Sequence, residues 1–242
     1  MVIVDRRASD GPMQHKRKNL MNDKIRHWPR AFVRSCAVFI LAVGCAAAGG
    51  CSFLAMAGQQ AVGVPVPPRY VGMKKQSVAI VVYANQAITF MYPQVAQEVC
   101  SFVSNEIQAK IPSIHLLPYA DVLAWQRHTP GWQALPVKSI GRHFGVNRVL
   151  YLELVHYRSH APGARHLMQG RIEANVFVYN TKIPGSGLVF SSHLNTLYPQ
   201  SGPEPVFASD NNVVRMRTLE LFSRDLTRMF YTWRNYGNHP HE

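Results

Sequence analysis

Histidines form the most conspicuous cluster of chemically capable residues in this 242-residue sequence. His156, His160 and His166 lie within a short stretch, and His193 comes close to them if it lies on a neighbouring strand. Imidazole is a common zinc ligand, but a zinc site needs three or four ligands that converge. The spacing of these residues on a strand and the loop after it does not ensure convergence. We therefore predict surface or hydrogen-bonded histidines, with no metal and no other cofactor.

Paired carboxylates offer a second kind of chemistry. Glu153 and Glu173 lie in the middle of predicted strands and become neighbours if those strands pair. Two carboxylates that flank a bond can act as acid and base in glycoside hydrolysis. The alternative is that each lies on a polar sheet face opposite a base such as Arg171. Because G-x-S-x-G, H-E-x-x-H, P-loop and dinucleotide-binding motifs are also absent from the sequence, we predict no catalytic residues.

Aromatic residues give a better indication of function. Phe177 and Tyr179 lie on the strand face opposite Val176 and Val178, and polar side chains share their face. A mixed aromatic and polar sheet face is common in recognition surfaces. The competing interpretation is that a helix covers this face. The predicted partner-binding residues are Phe177, Tyr179, Arg171, Trp125 and Trp132.

The amino-terminal region has the order of a secretory signal. A basic stretch from Met21 precedes the apolar segment SCAVFILAVG, and small residues follow it. A membrane-spanning helix needs ~20 strongly apolar residues, and this segment has about half that number. Cys51, which follows Ala-Gly-Gly, resembles the lipidated cysteine of a bacterial lipobox, and Cys45 is the rival position. An uncleaved anchor and ordinary soluble export remain as alternatives.

Four regions follow from these features. Residues 1–50 are predicted to be a signal peptide, with Met21 or Met13 as alternative starts. Residues 51–72 hold the lipidated cysteine and a Pro-rich tether. Residues 73–234 form the folded domain, and residues 235–242 form a polar tail.

The basic composition does not by itself indicate nucleic-acid binding. The formal net charge is +13, and the first 50 residues, with nine basic and three acidic side chains, supply +6 of it. The remaining excess is spread thinly, which is typical of a solvated surface. We predict no specific nucleic-acid partner. A basic cytoplasmic nucleic-acid protein remains a third hypothesis, and it requires that the apolar segment is not an export signal.

Hydrophobic periodicity predicts the elements that carry these residues. Strands are expected at 77–84, 114–119, 146–158, 171–180 and 188–198. Helices are expected from Pro93 to Pro112, from Asp121, from Pro136 to a C-cap at Gly145, and from an N-cap at Asp210 to about Trp233. The order β-α-β-α-α-β-β-β-α predicts one α+β domain with a mixed sheet and helices mainly on one face.

The segment VKSIGRHFGVNRVLYLELVHY (137–157) resembles the amino-terminal domain type of the translocation protein TolB. That type is shared by the penicillin-binding-protein activator lipoproteins and the curli-assembly lipoprotein, and Asn147 stands where the group often has aspartate. Residues 77–99 also resemble lipoproteins of planctomycete-type bacteria. The resemblance extends over 77–233 at the level of pattern. It implies an envelope lipoprotein that binds another protein, and it carries over no catalytic residue.

These observations predict an exported, lipid-anchored protein of the cell envelope that faces the periplasm. Its expected role is a non-catalytic protein-protein interaction, as an assembly or activator module with an envelope protein partner. The alternative is a membrane-tethered periplasmic hydrolase that uses the histidine cluster. The identity of the partner, the choice of inner or outer membrane and the oligomeric state are left open.

Overall fold

The helices and strands follow the hydrophobic pattern of the sequence. The computed structural model describes residues 63–205 and 211–237. The strands are β1 (Val64–Val66), β2 (Ser77–Ala84), β3 (His115–Leu116), β4 (Arg148–Ala161), β5 (Ala164–Asn180), β6 (Leu188–Tyr198), β7 (Glu204–Pro205) and β8 (Trp233–Asn235). The helices are α1 (Gln86–Met91), α2 (Val95–Lys110), α3 (Tyr119–His128), α4 (Val137–His143) and α5 (Asn211–Arg228), with a 3₁₀ turn at Trp132–Ala134.

The main sheet is mixed, as predicted, and the chain has the α+β fold class. Its strand order is β3-β2-β4-β5-β6, and β7 pairs with β5 beyond the end of β6. Strand β2 runs parallel to β3 and β4, whereas β4, β5 and β6 form an antiparallel meander. The short strands β1 and β8 form a separate two-stranded sheet. Residues 65–235 belong to one structural unit.

The two long helices cover one face of the sheet. Helix α2 buries Val99 and Ile107, and helix α5 buries Phe222 and Leu226. They pack against the inward-facing side chains of the sheet, which are fully or almost fully buried: Val78, Ile80, Val82, Leu150, Leu152, Leu154, Ile172, Ala174, Val176 and Val178. This alternation of buried residues on β5 confirms the period-two pattern of the sequence.

The opposite face is covered only in part. The short helices α3 and α4 and the 3₁₀ turn bring Val122, Ile140 and Trp132 against Ala79 and Val149 of β2 and β4. The helices therefore lie mainly on one face, as expected, with the short ones on the other. The β5 residues of this second face, further along the sheet, remain half-buried.

Several local predictions differ from the structure. The strand predicted at 171–180 begins earlier, at Ala164. The strand predicted at 114–119 is only two residues long, and α3 begins at Tyr119 directly after Pro118. Helix α1 was not predicted; Asn85 caps it by accepting a hydrogen bond from the Ile88 backbone N–H (2.9 Å). Helix α5 ends at Arg228 rather than near Trp233.

The early end of α5 has a packing cause. The N–H of Phe230 donates to the carbonyl of Thr227, which tightens the last turn. This turn directs the fully buried Phe230 ring towards Tyr70 and Phe190. Trp233 instead lies in β8, beneath the guanidinium of Arg228.

Several predicted features lie outside the described residues. They are the signal peptide, both candidate lipidation cysteines, most of the tether, the Asp210 N-cap and the end of the polar tail. Among the described residues, no helix is both long and apolar enough to span a membrane. Cys100 is fully buried in α2 and forms no disulfide.

Candidate functional site: an aromatic and polar face of the sheet

Strand β5 presents a row of half-buried side chains on the face that α2 and α5 do not cover. This row alternates with the buried valines and consists of Arg171, Glu173, Asn175, Phe177 and Tyr179. The structure thus brings three of the predicted partner-binding residues, Arg171, Phe177 and Tyr179, to one face of one strand. We call this row and its cross-strand neighbours on β4 and β6 the open face.

The aromatic half of the open face is a strip of three rings. Phe177 lies opposite Tyr151 of β4, with ring centroids 6.4 Å apart. Its ring is also 6.4 Å from that of Tyr179. Burial, with a smaller contribution from Glu153, raises the pKa of Tyr151 to about 12 and raises that of Tyr179. Both phenols are therefore neutral hydrogen-bonding groups at physiological pH.

The two predicted tryptophans flank this strip. Trp125 on α3 is half-buried and packs against His143 (5.4 Å) and Phe144 (5.5 Å). Trp132 is only 8% exposed and packs edge-on against Tyr83. Trp125 and Trp132 belong to the apolar cluster that also contacts Tyr151 and Tyr179. The two tryptophans thus share a cluster with two of the three rings of the open face.

Glu173 is the centre of the polar half. Its side chain is 14% exposed, its Oε2 accepts a hydrogen bond from Arg171, and the same oxygen lies 3.1 Å from His156 Nδ1. The other oxygen, Oε1, lies 3.3 Å from His193 Nε2. Arg171 also donates through Nε to Asn195 Oδ1 (3.1 Å) on β6. Three basic side chains on three strands therefore converge on one carboxylate.

A second chain of hydrogen bonds connects this centre to Glu153. Asn175 donates through Nδ2 to Glu153 Oε2 (3.1 Å), which fixes the orientation of the amide. The amide oxygen then faces His193 Nδ1 at 3.0 Å. Both ring nitrogens of His193 therefore face oxygen atoms, and both can donate only when the ring carries two protons.

The contact of two histidines with Glu173 is not evident from the sequence. Strand β4 has a bulge, and its register with β5 passes from Leu154 opposite Ala174 to His156 opposite Glu173. Without the extra residue, Val155 would lie opposite Glu173. The bulge therefore turns His156 onto the open face, which regular alternation would not do. His193 reaches the same carboxylate because the register of β6 places it next to Asn175.

The other histidines of the sequence cluster stay apart. His160 contacts the hydroxyl of Ser159 (3.2 Å), and His166 is exposed near the β4–β5 turn. Among residues 63–205 and 211–237, no three His, Cys, Asp or Glu side chains are arranged to hold a metal ion. At the open face, a metal ion would need the carboxylate of Glu173 as a ligand, and Arg171 already balances the charge of that carboxylate.

A separate cleft lies at the carboxyl end of β2. It has a volume of about 290 Å³ and lies between the start of α2 and helix α3. Tyr83, Gln126 and Trp132 are among its lining residues. Gln126 is held in place by a hydrogen bond from Nε2 to the carbonyl of Val82 (3.2 Å). The carboxyl end of parallel strands is a common place for ligands in open sheets, although none of the predicted partner-binding residues except Trp132 lines this cleft.

No family model matches the chain, and no curated protein matches it. Among solved structures, lipoprotein GNA1162 from Neisseria meningitidis is 12% identical, with a TM-score of 0.40 over 58% of this chain and 91% of its own. The PelC dodecamer from Paraburkholderia phytofirmans is 10% identical, with a TM-score of 0.41 over 70% of this chain and 98% of its own. A minor lipoprotein from Acinetobacter baumannii is 9% identical, with a TM-score of 0.31 over 66% and 88%. Two of these three are bacterial lipoproteins, and similarity at this level shows neither a family nor a function for this chain.

Proposed function

We propose that the protein is a lipid-anchored module of the bacterial cell envelope that binds another protein through the open face and catalyses no reaction. One observation carries this proposal: Tyr151, Phe177 and Tyr179 form a half-exposed aromatic strip beside a polar network whose groups are already hydrogen-bonded. Rigid aromatic anchors with polar neighbours are typical of interface hot spots. The resemblance of residues 137–157 to the TolB-type envelope lipoproteins agrees with this role.

The state of Glu173 favours binding over acid-base catalysis. A general acid or base needs an accessible oxygen that can exchange a proton with a substrate. Both oxygens of Glu173 are engaged by Arg171, His156 and His193, and the side chain is largely buried. The same contacts hold β4, β5 and β6 in register. They keep the surface rigid, which reduces the entropy that binding must overcome.

The proposed anchor is Cys51, with Cys45 as the rival. Intact-mass analysis of the mature protein from membranes tests this anchor. We expect a mature protein that begins with a cysteine carrying a diacylglycerol and that contains none of residues 31–45. The variant Cys51→Ser should lose the lipid mass, whereas Cys45→Ser should keep it. An unmodified mature protein that still contains residues 31–45 would rule out the lipoprotein interpretation.

The open face is tested by crosslinking and pull-down from envelope fractions. We expect the double variant Phe177→Ala/Tyr179→Ala to reduce partner capture by about 30-fold or more, since hot-spot truncations cost about 2 kcal/mol or more. Phe90→Ala is the matched control, because it removes a ring that is 84% exposed on α1. Unchanged capture by the double variant would contradict the proposal, and so would a loss of capture explained entirely by unfolding.

A second candidate function is a membrane-tethered hydrolase. It is favoured by the contact of His156 and His193 with the same carboxylate, because a carboxylate can orient an imidazole that acts as a base. The test is hydrolysis of a panel of ester, amide and glycoside substrates by the wild type and by His193→Asn. Turnover that disappears in a correctly folded His193→Asn protein would favour this function over the binding module.

A further inference from the structure

Strand β6 forms a long and open edge of the main sheet. It contains eleven residues, and its neighbour among the described strands is β5, on one side only. The opposite edge of the sheet is β3, which has only two residues. Short edge strands protect a sheet from pairing with another chain, and long ones expose a row of free N–H and C=O groups. The two edges of this sheet therefore differ sharply in their capacity to pair.

The sequence of β6 contains none of the usual protective residues. LVFSSHLNTLY has no lysine, arginine, aspartate, glutamate or proline, the residues that commonly block the pairing of edge strands. Its one irregularity is a bulge at Val189, near the beginning of the strand. From Phe190 to Tyr198 the register with β5 is regular. A further strand can therefore pair with this stretch without meeting a bulge.

The backbone groups that face outward at this edge can be assigned. The N–H of Thr181 donates to the carbonyl of Asn147 (3.1 Å), across the β4–β5 pair. Backbone groups alternate in direction along a strand, so odd-numbered residues of β5 bond to β4 and even-numbered residues bond to β6. Because Ala174 pairs with Leu194, the even-numbered residues of β6 bond to β5. The outward-facing groups therefore belong to Ser191, His193, Asn195 and Leu197, and of these the His193 carbonyl accepts a long hydrogen bond from Ser192 Oγ (3.4 Å).

A buried hydroxyl on β6 also lacks a partner. Thr196 is only 3% exposed, and its Oγ1 makes no hydrogen bond with any described residue. Leaving such a group unsatisfied costs about 1–3 kcal/mol. Thr196 lies on the face that α5 covers, next to the open edge. Because this oxygen is shielded from solvent, an added strand with a hydroxyl opposite Thr196 supplies the missing partner only if the Thr196 side chain turns towards the edge.

We propose that β6 pairs antiparallel with β6 of a second copy of this chain, about a two-fold axis at Leu194. This register places Ser192 of one copy opposite Thr196 of the other, so the Thr196 hydroxyl gains a partner when its side chain turns towards the edge. It also places Phe190 opposite the ring of Tyr198, and His193 opposite Asn195. In these three pairs an aromatic residue faces an aromatic residue and polar residues face polar ones, which are pairings that stabilise antiparallel strands.

The outward-facing residues meet one another in this register. Ser191 lies opposite Leu197 and His193 opposite Asn195, so the four residues and their symmetry mates can form about eight interchain backbone hydrogen bonds. The two sheets become continuous across the axis. The open faces of both copies then lie side by side, with the two Glu173 networks adjacent. The paired protein offers a surface twice as wide as that of one copy.

Proline at an outward position tests the pairing without altering the β5–β6 ladder. Ser191→Pro removes an outward N–H and obstructs an incoming strand, whereas the matched control Ser191→Ala keeps the N–H and removes only the exposed hydroxyl. The full-length proteins are compared in detergent by sedimentation and native mass spectrometry. We expect dimers for the wild type and Ser191→Ala, and a dissociation constant raised at least tenfold for Ser191→Pro.

Hydrogen exchange of the wild type tests the same pairing without a substitution. The amides of residues 191, 193, 195 and 197 should be protected at concentrations where the dimer forms and should exchange faster on dilution. A wild type that stays monomeric at all concentrations, or a Ser191→Pro protein that dimerises as tightly as Ser191→Ala, overturns the proposal. Partner capture through Phe177 and Tyr179 is measured separately, so a failure here does not imply failure of the proposed function.

Discussion

Gly170 permits a close approach between strand β5 and helix α5, and its substitution gives a sharp test of that packing. A Cβ atom added at Gly170 would lie 1.9 Å from Thr218 Oγ1 and 3.0 Å from Thr218 Cβ. Thr218 is 2% exposed, and its hydroxyl donates to the carbonyl of Val214 at 2.6 Å. Gly170→Ala must therefore displace either this side chain or the helix that carries it.

The cost can be worked out from these two routes. If Thr218 rotates away, the buried hydroxyl loses its acceptor, at about 1–3 kcal/mol. If α5 shifts, overpacking of the core costs about 1–3 kcal/mol. Alanine also lowers the conformational entropy of the unfolded chain, which stabilises the folded protein by about 0.4–1 kcal/mol and offsets part of this cost. We expect the free energy of unfolding to fall by about 1–2 kcal/mol, which lowers Tm by about 2–4 °C per kcal/mol in a domain of this size.

A double-mutant cycle identifies the cause. Urea unfolding of the full-length protein, followed by far-ultraviolet circular dichroism, is compared for Gly170→Ala, Thr218→Ala and the double variant. Because Thr218→Ala removes the atom that is 1.9 Å away, the double variant should be more stable than the sum of the single effects predicts, by about 1 kcal/mol. The Cβ–Cβ distance of 3.0 Å keeps the rescue partial. Effects that add to within about 0.5 kcal/mol would refute a direct steric conflict.

Three further predictions concern the open face and the core. Glu173→Gln should lower the free energy of unfolding by about 1–2 kcal/mol, because Arg171, His156 and His193 lose a shared charged acceptor; Glu220→Gln, which breaks only an exposed pair with Arg217, should change the urea midpoint little. Burial and Glu153 raise the pKa of Tyr151 to about 12, against about 10 in the unfolded chain. The folded protein therefore keeps this proton between pH 10 and 12 while the unfolded chain releases it, so stability should fall with rising pH in that window; Tyr151→Phe should flatten the fall, and an unchanged slope would contradict this cause. Burial raises the pKa of the Cys100 thiol to about 12, so iodoacetamide should modify Cys100 only after unfolding, and peptide mass spectrometry that finds rapid modification of the folded protein would disagree.

The sequence predicts a strand or helix well where the hydrophobic pattern ends at the same residues as the observed element. The run SVAIVVYA is the strand Ser77–Ala84, and LVFSSHLNTLY is the strand Leu188–Tyr198, as expected from their composition. Period-two alternation also predicts that Arg171, Phe177 and Tyr179 share a face, because this relation depends only on one strand. Gly145 follows α4 with a φ of 65°, in agreement with its expected role at a helix end.

The polar network depends on relations that one strand does not contain. His156 meets Glu173 only because a bulge in β4 reverses the side on which it projects. His193 meets the same carboxylate through the register of β6, which is set across two strand pairs. The end of α5 at Arg228 likewise depends on where Phe230 finds Tyr70 and Phe190. In each case the residue types are evident in the sequence, but tertiary packing decides which of them come together.

The distribution of packing over the sheet explains why the two proposals fall on the same strands. Helices α2 and α5 bury the inward-facing residues of β2, β4 and β5, and Gly170 lets α5 lie close to β5. The short helices α3 and α4 cover the other face only near β2 and β4, so β5 and β6 carry the half-exposed polar and aromatic residues. Strand β6 also ends the sheet, and its outward backbone groups belong to the residues that present His193 and Asn195 to the open face. Pairing at this edge would therefore extend the surface on which partner binding is proposed, and a partner that spans both copies would bind more tightly to the dimer than to one copy.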